Sequence, residues 1–256
     1  MERFVRFVRE GEPSWGVIVG ETIHALARAP YCGVTETGAQ TPLAGATLLA
    51  PCEPGKIVAV GKNYYDHARE MGGDAPANPI LFIKPNTTVN DPEATVVRPR
   101  SSQALDYEGE LAFVVGRRAT RVAAADAADY IFGYTILNDI TARDLQSADG
   151  QWTRAKSFDG FAPVGPYLVT GIDAGDLSLT TRLNGEVKQA SRTSLMMWGV
   201  PALLEFITEV MTLLPGDVVT TGTPAGIGRM ADGDEVEVEI EGLGVLRNRV
   251  RWEQAD

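Results

Sequence analysis

The chain is poor in cysteine and has no long apolar run, and both absences exclude broad classes of protein. Its 256 residues include two cysteines, Cys32 and Cys52, without a C-x-x-C spacing. Two cysteines cannot form the disulfide framework of a small secreted domain, and they fit a reducing compartment. No apolar stretch approaches the roughly 20 residues of a membrane-spanning helix, and the charged N-terminus does not resemble a signal peptide. We therefore expect a soluble, cytoplasmic protein without a membrane partner.

Positive charge is also scarce. The 23 lysines and arginines are outnumbered by 34 aspartates and glutamates, which gives a formal net charge of −11. This balance argues against nucleic acid or an anionic membrane as a partner. An acidic surface also repels an anionic small molecule, so a site for one must carry its own cations. The length allows a large core, as one large domain or one domain with a small companion.

Short strand-like segments separated by turn residues make up most of the chain, which predicts a β-rich α+β protein. Residues 1–50 are predicted to form a small β-rich N-terminal domain, and residues 51–256 the main domain. Val200–Leu213 is the best helix prediction because its apolar residues recur at helical spacing. The alanine-rich segment Ala123–Tyr130 is predicted as a second helix, and Asn184–Gly185 as a hairpin turn.

The segment Leu105–Val115, with the sequence LDYEGELAFVV, is predicted to be one strand that enters the core. Alternation along a strand places Glu108 and Glu110 on one face and Gly109 on the other. Two neighbouring carboxylates resist burial unless a cation lies between them. Taken alone, the pair is more typical of a solvated strand end, so other residues must decide between the two interpretations.

His67 and Glu70 form a candidate acid–base pair. They lie in Asn63–Met71, a predicted short helix that follows the strand Lys56–Gly61 and ends at Gly72–Gly73. At this spacing the two side chains are neighbours on one helical face. A carboxylate beside an imidazole fixes its tautomer and makes it a stronger base. A surface ion pair is the alternative, but the position just beyond a strand end favours a function.

Asp139 begins a second group of candidate site residues, directly after the predicted apolar strand Ile131–Asn138. Thr141 is predicted to cap the following helix, with Asp139 just before its N-terminus. Arg143 and Gln146 would then lie at neighbouring positions on one face of that helix. Asp139 by itself is also compatible with a simple capping carboxylate.

Three further polar residues occupy loops or strand ends. Lys156 lies between an aromatic residue and a glycine-containing turn, and Thr223 lies in the glycine-rich loop 222–228. That loop lacks the lysine of a phosphate-binding loop, but its backbone N–H groups and Thr223 are candidates to bind a carboxylate. Lys84 ends the strand Pro79–Lys84, where a lysine that extends to solvent is more typical than a substrate-binding cation.

Several motifs together resemble the fumarylacetoacetate hydrolase family, in its short branch of acylpyruvase-, oxaloacetate decarboxylase- and homoprotocatechuate isomerase-like enzymes. The motifs cover about residues 55–250 in the family's order: GKNYYDHARE, DYEGELAFVVG, NDITARDLQ, AKSFD and MTLLPGDVVTTGTPAGIG. The resemblance implies a mixed β-roll with flanking helices. Because most members dimerise, it also implies a homodimer.

The resemblance further implies the roles of individual residues. It assigns a divalent metal to Glu108, Glu110 and Asp139, catalysis to His67, Glu70 and Lys156, and substrate binding to Arg143, Gln146 and Thr223. Three oxygen ligands without histidine or cysteine suit Mg²⁺ or Mn²⁺.

The activity implied is cleavage of a C–C bond in a 2-oxo acid, by acylpyruvate hydrolysis or oxaloacetate-type decarboxylation. Isomerisation or decarboxylation of a 2-hydroxy-diene-dioate from aromatic catabolism is the first alternative. A non-catalytic binding protein with the same fold is the second, and the occupation of every expected site position weighs against it.

Overall fold

The computed structural model describes residues 1–254, and strands dominate it. In chain order the strands are β1 (Glu2–Arg9), β2 (Glu12–Val19), β3 (Thr22–Leu26), β4 (Glu36–Pro42), β5 (Leu48–Leu49), β6 (Ile57–Gly61), β7 (Ile80–Lys84), β8 (Val89–Asn90), β9 (Thr95–Arg98), β10 (Leu105–Tyr107), β11 (Gly109–Val115), β12 (Ile131–Asn138), β13 (Thr141–Ala142), β14 (Ala162–Thr170), β15 (Ser178–Leu183), β16 (Glu186–Arg192), β17 (Val218–Thr220), β18 (Gly228–Arg229), β19 (Glu235–Ile240) and β20 (Gly244–Trp252).

Helices are few and short. The α-helices are α1 (Tyr65–Glu70), α2 (Arg143–Asp149), α3 (Thr153–Lys156) and α4 (Val200–Val210), and single 3₁₀ turns cover Pro30–Cys32, Asn86–Thr88, Ala124–Asp129, Ala174–Asp176 and Thr193–Leu195. No helix in the described part of the chain has the length and apolar character to cross a membrane. The predicted β-rich α+β class is confirmed.

The strands form three sheets. The largest has twelve strands in the order β4-β3-β2-β1-β14-β12-β11-β17-β6-β7, with β5 paired to β1 and β8 to β14. A five-stranded sheet has the order β16-β15-β19-β20-β9, and a three-stranded sheet the order β13-β10-β18. The hairpin predicted at Asn184–Gly185 connects β15 and β16.

The N-terminal strands extend the large sheet. β1 pairs with β14 in antiparallel register, with Phe4 opposite Leu168. Phe4 is buried in one apolar cluster with Leu137 and Leu168. The division of the chain into two domains, residues 1–50 and 51–256, stays a prediction. Strand pairing and a shared apolar cluster connect the two parts.

Helix α4 covers the apolar face of β11. Leu203, Leu204 and Ile207 belong to the same buried cluster as Leu111 and Phe113. The helix ends at Val210, earlier than predicted, because Leu213 instead forms an antiparallel bridge with Ala119. The helix predicted at Ala123–Tyr130 is only a 3₁₀ turn, Ala124–Asp129.

The segment Leu105–Val115 is two strands rather than the single strand predicted. β10 pairs with β13 and β18, whereas β11 pairs with β12 and β17. The chain therefore changes sheets at Glu108, whose backbone N–H donates to Asn138 Oδ1 at 2.9 Å. The predicted Thr141 cap is also wrong, because Thr141 lies in β13 and its hydroxyl donates to the Asp139 carbonyl at 2.9 Å.

Candidate active site

Four neighbouring strands in the middle of the large sheet bring their functional residues together at one end of the strands. β11 runs antiparallel to β12 and β17, with Gly109 opposite Asn138 and Ala112 opposite Thr220. β17 and β6 run parallel, with Thr220 opposite Ala59. The start of β11 therefore lies beside the ends of β12, β17 and β6.

An acidic triad lies at this end of the four strands. One ligand oxygen from each of Glu108, Glu110 and Asp139 lies within 4.8 Å of the other two, and all three residues are buried. Gly109 turns away, since a Cβ atom there would lie 2.3 Å from Thr181 Oγ1 and 2.9 Å from Val238 Cγ1. The alternation predicted for the two glutamates is thus present, and glycine is required where β11 crosses the five-stranded sheet.

Cations surround two of the three carboxylates. The Lys156 ammonium donates to Glu108 Oε2 at 2.7 Å and to Asp139 Oδ2 at 2.6 Å. Arg143 Nη2 donates to the other oxygen of Glu108, and Lys84 to the other oxygen of Asp139. Burial favours a raised pKa for Glu108, but the nearby charges of Lys156 and Arg143 outweigh it and lower that pKa.

Glu110 has different surroundings. It accepts hydrogen bonds from the Thr220 hydroxyl and, at 2.7 Å, from the Gly222 backbone N–H. Within residues 1–254 it forms no salt bridge. Burial, together with the negative charges of Asp139 and Glu108, raises the pKa of Glu110 well above its usual value. Glu110 is a buried carboxylate with no salt-bridge partner in the described part of the chain, and it lies beside two other carboxylates. An added cation would therefore be stabilised most strongly at this position.

The residues present therefore fit a hard divalent cation. The cluster offers carboxylate oxygens only, and oxygen donors of this kind are preferred by Mg²⁺ and Mn²⁺. The three ligand oxygens lie close enough together for all of them to contact one ion.

Lys84 was expected to extend to solvent, and that expectation is wrong, because its ammonium is buried against Asp139. Its side chain has no solvent exposure, and its ammonium also donates to the Phe161 carbonyl at 2.9 Å. Burial lowers the pKa of Lys84, and the charge of Asp139 only partly opposes that effect. The alternation of side chains along β7 could have indicated this burial, because it places Lys84 on the same face of the strand as Phe82.

His67 and Glu70 meet on α1 as predicted. His67 Nδ1 donates to Glu70 Oε2 at 3.1 Å, and Glu70 Oε1 accepts from the Gly226 N–H at 3.0 Å. His67 is buried and lines the cavity above the triad, with Nε2 left for chemistry. The glycine-rich loop was predicted to offer its N–H groups to a ligand, but those of Gly222 and Gly226 bind carboxylates of the protein itself.

Arg143 and Gln146 project from the first turn of α2 into the same cavity. Arg143 Nη1 donates to Gln146 Oε1 at 2.6 Å, and Nε donates to Asp106 Oδ2 at 2.9 Å. Asp106, which sequence reasoning also missed, shares the strand face of Glu108 and orients the guanidinium. Thr223 lines the cavity too, although its hydroxyl proton is donated to the Gly109 carbonyl at 2.9 Å.

The cavity has a charged floor and an apolar wall. Besides its charged residues, which include Lys62, it is lined by Val60, Gly61, Met71, Phe82 and Trp152. Trp152 packs edge-on against Phe82, with ring centroids 5.3 Å apart. A Cβ atom on Gly61 would lie 2.4 Å from Trp152 Cζ3, so the ring can occupy its position only over a glycine.

Comparison with known proteins gives consistent results over nearly the whole chain. Residues 56–251 match the family described as "Fumarylacetoacetate (FAA) hydrolase C-terminal", and residues 2–51 match "Rv2993c-like, N-terminal". "Protein Rv2993c" of Mycobacterium tuberculosis is 51% identical over 243 residues, which are 94% of this chain and 90% of that protein.

Two named enzymes are also similar. "Oxaloacetate tautomerase Fahd2a, mitochondrial" of Rattus norvegicus is 38% identical over 90% of this chain and 77% of its own length. The crystal structure of "2-hydroxyhepta-2,4-diene-1,7-dioate isomerase" from Mycobacterium marinum superposes with a TM-score of 0.93 at 45% identity, covering 100% of both chains.

Proposed function

The chain belongs to the fumarylacetoacetate hydrolase family, and from this premise we propose that it is a divalent-metal-dependent enzyme that acts on a 2-oxo acid through its enolate. One observation carries the proposal. A buried acidic triad, with Glu110 lacking a counter-charge, lies in the same cavity as an imidazole that is oriented by a carboxylate. Metal ligands and an acid–base pair in one enclosed cavity are the components that enolate chemistry requires.

The residues that would hold the metal are Glu108, Glu110 and Asp139. A bound Mg²⁺ or Mn²⁺ supplies Lewis-acid polarisation of a carbonyl oxygen. Arg143 and Gln146 are placed to bind the substrate carboxylate, the guanidinium offering paired donors. The Lys156 ammonium lies at the triad and would stabilise the negative charge of the enolate.

C–C bond cleavage is the first candidate outcome. His67, oriented by Glu70, would accept a proton from water as that water attacks the distal carbonyl of an acylpyruvate. The C3–C4 bond then breaks, and its electron pair forms the enolate of pyruvate, which is protonated at C3. Loss of carbon dioxide from oxaloacetate gives the same enolate without attack by water.

Proton transfer without bond cleavage is the second candidate, and the two named relatives favour it. One is named an oxaloacetate tautomerase and the other a dienedioate isomerase. In such a reaction His67 would move a proton between carbon and oxygen, or along a dienol. The enolate, and the residues that stabilise it, are common to both candidates.

A substrate panel tests the proposal. Metal-free protein prepared with EDTA is supplied with acetylpyruvate, oxaloacetate or 2-hydroxyhepta-2,4-diene-1,7-dioate, first without and then with Mg²⁺. We expect activity to return with Mg²⁺ and to be absent from Glu108→Ala. Acyl-group or carbon dioxide release indicates cleavage, whereas an absorbance change without release indicates isomerisation. Normal turnover by Glu108→Ala, or by the EDTA-treated protein, would contradict the proposal.

We further propose that the enzyme is a homodimer, as the family resemblance suggests, and that it is cytoplasmic, as its low cysteine content suggests. Light scattering of the purified protein checks the oligomeric state, and a mass near the 27.5 kDa of one chain would contradict the homodimer.

A further inference from the structure

Lys62 is a cation of the cavity without a partner in the protein. It lines the cavity together with the acidic triad and Trp152. Its side chain is half-buried, and within residues 1–254 its ammonium forms no hydrogen bond or salt bridge. A Cβ atom on Gly73 would lie 3.4 Å from that ammonium, so the side chain runs beside the turn that ends α1.

The other cations of the cavity are already neutralised. Lys156 is bound by Glu108 and Asp139, and Arg143 by Glu108 and Asp106. Among the lysines and arginines that line the cavity, Lys62 is therefore the one that pairs with no carboxylate within residues 1–254. In a protein with a net charge of −11, an uncompensated lysine in a cavity is a specific attraction for an anionic group.

The backbone holds Lys62 in this position against its own preference. Lys62 has a φ of +55°, in the left-handed region that side chains other than glycine rarely adopt. The next residue anchors it: the Asn63 side chain donates to the Trp198 carbonyl at 3.0 Å and to the Thr221 carbonyl at 2.8 Å. Strained backbone that persists beside a functional cavity is a common feature of ligand sites.

We propose that Lys62 binds a second carboxylate of the substrate, so that the enzyme acts on 2-oxo dicarboxylic acids in preference to monocarboxylic ones. The inference rests on the proposed function, which places the 2-oxo carboxylate at the triad and Arg143. The apolar wall formed by Phe82 and Trp152 would then cover the short carbon chain between the two anionic ends. A substrate with an uncharged tail leaves the Lys62 ammonium without a counter-charge.

The test compares two substrates in wild-type protein and in Lys62→Met, each loaded with Mg²⁺. Oxaloacetate carries the second carboxylate, and acetylpyruvate carries an uncharged acyl group in its place. Loss of one charge-assisted contact predicts a fall of about 10- to 100-fold in kcat/KM for oxaloacetate, mostly through KM. For acetylpyruvate we expect less than about a twofold change, since the contact is absent there.

Two further variants separate a local contact from a general effect. Arg69→Gln removes an exposed cation from the neighbouring helix α1, outside the cavity, and should leave the ratio of the two kcat/KM values unchanged. Lys62→Gly removes the ammonium and also relieves the positive φ, so it guards against a folding defect in Lys62→Met. Lys62→Arg keeps the charge and should recover most of the preference for oxaloacetate.

Each outcome decides the question. Equal losses for both substrates in Lys62→Met and Lys62→Gly, or no loss for oxaloacetate, would overturn the role of Lys62, as would a wild-type preference for acetylpyruvate. Failure of the wild-type protein to act on either compound, and on 2-hydroxyhepta-2,4-diene-1,7-dioate as well, would instead overturn the proposed function, and this inference with it. Oxalate, which mimics only the 2-oxo carboxylate end, should inhibit wild-type and Lys62→Met equally.

Discussion

The charges at the floor of the cavity, near the acidic triad, are paired, whereas the charge at its mouth, beside Lys62 and Trp152, is not. At the floor Lys84, Glu108, Asp139 and Lys156 are almost without exposure, and each is paired with an opposite charge. At the mouth Lys62 and Trp152 are half-buried, and Lys62 has no partner in the described chain. The floor behaves electrostatically as part of the core, whereas the mouth retains free charge for a ligand.

This difference predicts which substitutions should change the stability of the fold and which should change only the activity. Charges at the floor have lost their hydration, and only their mutual contacts compensate for it, so removal of one leaves another uncompensated. Charges at the mouth remain partly hydrated, and their removal costs the fold little. Substitutions at the floor should therefore change both folding and activity, while those at the mouth should change activity alone.

The largest effect is expected for Lys84→Met. It leaves one oxygen of Asp139 and the Phe161 carbonyl without their buried donor, and we expect the free energy of unfolding to fall by about 3–5 kcal/mol. Urea unfolding of the metal-free protein measures this. Arg154→Gln breaks the exposed pair with Asp149 and should leave stability unchanged. Similar stabilities for the two variants would remove the distinction between a buried and an exposed ion pair, on which the comparison of floor and mouth depends.

Metal binding should be the next largest effect. If Mg²⁺ binds the folded triad, then Mg²⁺ at 100 times its Kd should raise the free energy of unfolding by about 2.7 kcal/mol. Glu110→Gln should abolish this increase. Denaturation with and without Mg²⁺ measures it, and an equal increase in wild-type protein and in Glu110→Gln would place the metal elsewhere.

The two glutamates should differ in their own contribution to the metal-free fold. Glu108→Gln leaves Lys156 and Arg143 short of a counter-charge, so we expect a loss of about 1–3 kcal/mol. Glu110→Gln keeps an acceptor for Thr220 and Gly222 and removes a carboxyl group whose charged form is disfavoured by burial, so stability should stay equal or rise. Chemical unfolding in EDTA compares them, and a larger loss for Glu110→Gln would contradict this account.

A small loss of stability is expected at the mouth, for Gly61→Ala. The added methyl group would overlap Trp152, which is half-buried and can shift, so we expect a cost of about 1 kcal/mol. Displacement of the ring should still raise KM more than it lowers kcat. Steady-state kinetics together with a melting curve check both expectations. An unchanged KM would indicate that Trp152 does not contact the substrate.

Local sequence patterns were sufficient for much of the fold and for the proposed site. Alternation at the start of β11 placed the carboxylates of Glu108 and Glu110 together, and helical spacing paired His67 with Glu70. Such patterns succeed because neighbours on a strand or a helix are determined by the geometry of the element itself. The same reasoning overestimated the helix at Ala123–Tyr130, where alanine content alone did not distinguish an α-helix from a 3₁₀ turn.

Contacts between distant segments were decided by the tertiary structure alone. The burial of Lys84 against Asp139, the orientation of Arg143 by Asp106, and the change of sheet at Glu108 each join elements far apart in the chain. Residue types and spacings thus determined which chemistry the protein can carry. The packing of the sheets decided which charges are neutralised and which one, Lys62, is left for a ligand, because desolvation and pairing depend on neighbours that no local pattern specifies.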